Sequence, residues 1–159
     1  MDASKLNPLY VPQVGGKHYQ SLYQHWDLVQ DIKAGYMEAN ATKYLTRCHK
    51  KNGEQDFKKA ISYVEKLLIQ VKAGKVSERT GFKFWLSMRL RRCSIGRGSS
   101  PSVATNWSAV ERRIEYFFQE NDIPLELKPM IRRIFLWKTQ FDLEQILREL
   151  KEHQLSPVS

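Results

Sequence analysis

The chain has 159 residues, 42% of them hydrophobic and 11% aromatic, enough for a packed core and too many for a disordered chain. Its formal net charge of +9 points to anionic partners: nucleotides, nucleic acid or an acidic protein surface. Two cysteines, Cys48 and Cys93, make neither a disulfide framework nor a zinc site, no apolar run approaches the ~20 residues of a membrane span, and MDASKLNPLYVPQ lacks the pattern of a signal peptide, so a cytoplasmic protein without membrane contact is expected.

The charge is uneven. Residues 1–78 carry a net +4, residues 79–110 carry +6 with no acid at all, and residues 111–159 carry −1. The basic excess therefore concentrates in the middle of the chain.

Residues 1–16 hold Pro8, Pro12 and Gly15-Gly16 without periodicity and read as an extended arm. His18 and Tyr19 follow; they either pack onto the first helix or touch a ligand, the imidazole on phosphate and the ring on a base. Residues 22–34 fit a helix with Leu22, Trp26, Val29 and Ile32 along it, Trp26 in the core, and Gly35 as its end. Asp27 is placed to cap, to pair with a cation or to hold phosphate-bound magnesium.

A second helix is expected over about Tyr36–Lys51. Asn40, Lys43, Tyr44, Arg47 and Lys50 recur on it at spacings of three and four and so share one side. Bases at a helix C-terminus suit the dipole, which explains Arg47 and Lys50 but not Asn40 and Lys43 higher up. Asn52-Gly53 marks a turn. The third helix, from Glu54 or Asp56 to about Lys72, has Phe57, Ala60, Ile61, Val64, Leu67, Leu68 and Val71 on its apolar face and Lys59 and Tyr63 on one side. Lys58 and Lys59 oppose the dipole at its start, a local rule broken for no evident structural gain.

These motifs, HY, QHWD, EANATKYLTR, KKNG and DFKKAISY in this order, resemble a family of small phage proteins labelled a domain of unknown function. Its characterised relative is a podovirus nucleotide kinase without a P-loop. The resemblance covers about residues 15–72. It implies an all-helical nucleotide-binding domain, phosphorylation of deoxynucleoside monophosphates with ATP and Mg2+, a homo-oligomer, and a location in the cytoplasm of an infected bacterium. Phosphoryl transfer needs positioning and charge neutralisation rather than covalent help. Arg47, Lys43 and Asp56 are the candidate catalytic residues, Arg47 as bidentate clamp. Asn40, Lys50 and Lys59 are candidates for phosphate or base edge, and Tyr19, Tyr44 and Tyr63 for base stacking. The competing reading ties helix to helix through pairs of the Lys43–Asp56 kind. No Walker loop is present, since GRGSSPS lacks the Gly-Lys-Ser/Thr ending, and no metal site is read from the sequence. The paired helices are also similar to MazG-type nucleotide pyrophosphohydrolases, but their clustered-acid pattern is absent.

Beyond the resemblance, residues 77–93 can form a helix from Ser77, and Arg89, Arg91, Arg92 and Arg97 lie among aromatics, which suits single-stranded nucleic acid. Residues 96–104 read as a linker, giving a helical domain over 17–95 and a smaller helical unit over 105–159. In that unit Asn106 or Thr105 caps one helix, Pro129 begins or kinks a second, and Asp142 with Gln145 opens a third as a capping box. Trp137 and Phe141 are expected in its core. The chain is expected to be all-α. Three functions follow: a nucleotide kinase, a protein that binds or sequesters nucleotides without turnover, and a nucleic-acid or host-protein binder working through residues 79–98.

Overall fold

The computed structural model describes residues 21–50, 53–79 and 107–155, leaving aside the side chains of Trp107 and Leu155. They form six helices: α1 (His25–Ile32), α2 (Tyr36–Arg47), α3 (Gly53–Lys72), α4 (Trp107–Glu120), α5 (Leu127–Leu136) and α6 (Gln140–Leu155). No strand occurs among the described residues, and no helix there is long and apolar enough to cross a membrane.

Four of the helices close a ring. α2 packs on α3, α3 on α6, α6 on α5, and α5 back on α2. The apolar stripe of α3 fills the centre with Phe57, Ala60, Ile61, Val64, Leu67, Leu68 and Val71, all buried. Ile131, Ile134 and Phe135 of α5 and Leu143, Ile146 and Leu150 of α6 meet it. α1 and α4 pack on each other beside the ring. The expected linker at 96–104 lies outside the described residues; on either side of it the described helices share one core.

The start of α2 is pinned by a buried carboxylate. Glu38 is buried, accepts from Trp137 Nε1 at 2.9 Å, and pairs with Arg79. Arg79 stacks its guanidinium 4.6 Å from the Trp137 ring and donates to Phe135 O at 2.9 Å. Three segments distant in sequence thus meet on one side chain. Gly35, the N-cap of α2, has no room for a Cβ, which would collide with Glu38 Oε2.

Several expectations are corrected. Gly35 begins α2 rather than ending α1; α1 ends at Lys33, which takes the left-handed conformation at φ 52°. α2 stops at Arg47, so Lys50 stands beyond it in a turn. Residues 77–79 are not helical, because Arg79 leaves the surface to reach Glu38; the rest of that expected helix lies outside the described residues. Trp26 is 41% exposed and Phe141 65% exposed, since the buried side of α1 runs through Leu28 and that of α6 through Leu143 and Leu150. The capping box of α6 sits a turn earlier than expected. Asp142 N donates to Thr139 Oγ1 at 3.2 Å, and Asp142 Oδ2 accepts from Thr139 N at 2.8 Å.

Arg79→Met would strand the Glu38 carboxylate among apolar groups and lower unfolding free energy in urea by about 3 kcal/mol. Adding Glu38→Leu to that variant removes the stranded charge and recovers part of the loss.

Candidate functional site

The end of α2 opposite Glu38 carries the second buried carboxylate. Asp56, in the first turn of α3, has a side chain with no exposed surface. Arg47 grips it with both arms of its fork, Nε to Oδ2 at 2.8 Å and Nη2 to Oδ1 at 3.1 Å. Lys59 Nζ donates to Oδ1 at 3.2 Å. Burial alone would raise the Asp56 pKa, but the hydrogen bonds from Arg47 and Lys59 outweigh it and hold the carboxyl below its ordinary range. The two lysines that oppose the α3 dipole are answered by acids of its first turn: Lys59 by Asp56, and Lys58 by Glu54 at 2.5 Å.

Arg47 also faces a cleft on the other side of α2, of about 110 Å³. Lys43, Thr46, Arg47 and Lys50 form one wall. Gln24, His25 and Trp26 at the start of α1 form a second, and Phe117, Asn121, Asp122 and Ile123 at the end of α4 a third. Asn121 Nδ2 donates to Tyr23 O at 2.9 Å, which fixes the third wall to the second. Lys43 is exposed and has no ion-pair partner among the described residues; Lys50 has only Asp122, 95% exposed and 3.9 Å away.

His25 is the group in this cleft that sequence reading missed. Burial, and secondarily the charge of Lys43, lower its pKa to about 3, so it is neutral near pH 7. Thr42 Oγ1 donates to Glu38 O at 2.8 Å and sits 2.9 Å from His25 Nε2. With its own proton given away, the Thr42 hydroxyl accepts, so Nε2 carries the imidazole proton and Nδ1 the lone pair. The signal was in the sequence: His25 stands three residues before Leu28 and so shares its side of α1, with Trp26 turned away.

The remaining candidates separate. Asn40 Nδ2 donates to Tyr36 O of its own helix at 2.8 Å and does not line the cleft. Asp27 accepts from Gln24 N at 2.8 Å and caps α1. Tyr44 lies under the Arg47 guanidinium at 4.5 Å and stacks on Tyr63 at 5.7 Å. His18, Tyr19, Arg89, Arg91, Arg92 and Arg97 lie outside the described residues. Lys43, Arg47 and Lys50 therefore meet at the cleft, while Arg47, Asp56, Lys59, Tyr44 and Tyr63 meet between α2 and α3. Among the described residues no group of three or more His, Cys, Asp or Glu is placed to hold a metal ion.

Residues 14–65 match the family model described as a protein of unknown function (DUF3310). The matched span includes α1, α2 and most of α3, with Lys43, Arg47, Lys50 and Asp56, and leaves α4–α6 outside. No curated protein matches the chain, and no solved structure matches it.

The Asp56 clasp has a pH signature. The native carboxyl titrates below the unfolded one, so the clasp stabilises fully above about pH 4 and is lost as pH falls through the depressed native value. Asp56→Asn is expected to cost about 3 kcal/mol near neutrality, and the gap to the wild type narrows as acid unfolding is followed downward. His25 acts in a different window. Its unfolded form takes up a proton below about pH 6.5 and its native form does not, so stability falls from there by up to about 1.4 kcal/mol per pH unit. His25→Gln flattens that slope in urea titrations at stepped pH.

Proposed function

We propose that the protein binds nucleotide phosphates, with the phosphate in the cleft between α1, α2 and the end of α4. What carries the reading is that Lys43, Arg47 and Lys50 border one cleft in which Asp122, pointing to water, is the only carboxylate among the described lining residues. Lys43 and Lys50 can act as point charges, and Arg47 adds the field of a guanidinium held in the cleft wall by Asp56. At about 110 Å³ the cleft is well below the ~300–1,000 Å³ of a pocket that encloses a drug-sized ligand. It suits a phosphate, with sugar and base lying outside towards the exposed Trp26 ring.

Phosphorylation of a deoxynucleoside monophosphate with ATP and Mg2+, inside an infected cell and by a homo-oligomer, is the activity the sequence resemblance implies. The cleft supports the charge-neutralising half of that chemistry. Asp56 does not serve it as base or magnesium ligand, because both its oxygens are already bonded by Arg47 and Lys59. Binding without turnover is thus the core of the proposal, and the kinase is its extension.

A thermal-shift series with inorganic phosphate and deoxynucleoside mono-, di- and triphosphates tests it. A ligand present at a hundredfold above its Kd should stabilise by about 2.7 kcal/mol. Lys43→Ala and Lys50→Ala, both at exposed positions, should each weaken binding roughly tenfold, as expected for a lost charge-assisted hydrogen bond. No shift with any of these anions defeats the reading. Labelled monophosphate incubated with ATP and Mg2+ then separates turnover from binding.

A further inference from the structure

We infer that the outer face of α2 and α3 is a second binding surface, a tyrosine platform for single-stranded nucleic acid. Tyr36 opens α2 with 70% of its surface exposed. Its ring meets Tyr63 of α3 at 6.2 Å and 69°, and Tyr63 stacks on Tyr44 at 5.7 Å and 18°. Three rings from two helices form one row. Arg47 and Lys59 lie over its Tyr44 end, at 4.5 Å and 5.3 Å from the ring. Tyr44 and Tyr63 pack partly on the core, but Tyr36 is not part of it and leaves its ring to solvent.

Among the described residues of α2 and α3, cations outweigh acids around the row. Lys59, Tyr63 and Lys66 fall on one stripe of α3 at spacings of four and three. The carboxylates of the two helices are engaged elsewhere: Glu38 with Arg79, Glu54 with Lys58, Asp56 with Arg47 and Lys59, and Glu65 with Lys151 of α6. Lys66, like Lys43, has no ion-pair partner among the described residues. An exposed ring continued by two half-buried ones, with a net positive charge beside it, is a surface on which bases stack and phosphates are tracked without sequence reading. A duplex keeps its base faces inside and gains nothing from Tyr36. A second copy of this chain docked face to face would set lysine against lysine.

The surface shares Arg47 with the phosphate cleft, but Tyr36, Tyr63 and Lys66 lie outside it, so failure of nucleotides to bind there leaves the surface standing. The test uses the full chain and a fluorescein-labelled oligothymidylate, followed by anisotropy over a range of salt. Binding is expected, weakening steeply with salt. Tyr36→Ala should lower affinity roughly tenfold, the loss of one stacked base, while Tyr36→Phe retains it. Lys66→Ala should lower affinity and reduce the salt slope by about 0.7. Arg148→Ala, an equal loss of charge on α6, should change neither. The inference is overturned if the oligonucleotide does not bind, if it binds Tyr36→Ala as well as wild type, or if sedimentation shows Tyr36→Ala breaking up a self-assembly of the chain.

Discussion

The structure turns on Asp56, a carboxylate taken wholly out of water. An ion buried without partners costs several kcal/mol, so the fold can keep it only by fixing cations around it. Arg47 and Lys59 do so, and this sets where α2 must end and α3 must begin. It also dictates the posture of Arg47. Its fork closes on the carboxylate through Nε and Nη2, and the same side chain lines the cleft on the other side of α2. The stabilising clasp and the candidate anion site therefore share one side chain.

Glu38 does the matching job at the other end of α2. Its partners come from the segment after α3 and the end of α5, so it ties the span that matches the family model to the helices outside it. The ring of four helices is thus fastened at both ends by buried acids, with apolar packing between. His25 is tied to α2 through Thr42, whose hydroxyl touches the Glu38 backbone carbonyl on one side and the imidazole on the other.

Much of this was legible in the sequence. The helical periods of residues 36–72 and 107–155, the apolar stripe of α3 and the one-sided placement of Lys43 and Arg47 follow from spacing alone; Lys50 reaches the same cleft from the turn beyond α2. What was not legible depended on contacts between distant segments. Nothing local marks Glu38 as buried, because its partners Arg79 and Trp137 lie far along the chain. Trp26 was read as core because the α1 period was taken out of phase; Leu28, two residues on, is what the core receives. Asn40 shares the stripe of Lys43, but its amide is satisfied by the Tyr36 carbonyl one turn back, a local competition that pattern matching cannot see. Asp56 looked available for chemistry because a sequence shows a carboxylate and not the two cations that occupy it.

The double duty of Arg47 narrows what that position tolerates. Lysine would keep the charge and lose the fork: a single ammonium cannot span both oxygens of Asp56 and still offer a donor across α2. An exchange usually counted as mild would leave the helices joined by one bond in place of two and withdraw the guanidinium from the cleft wall.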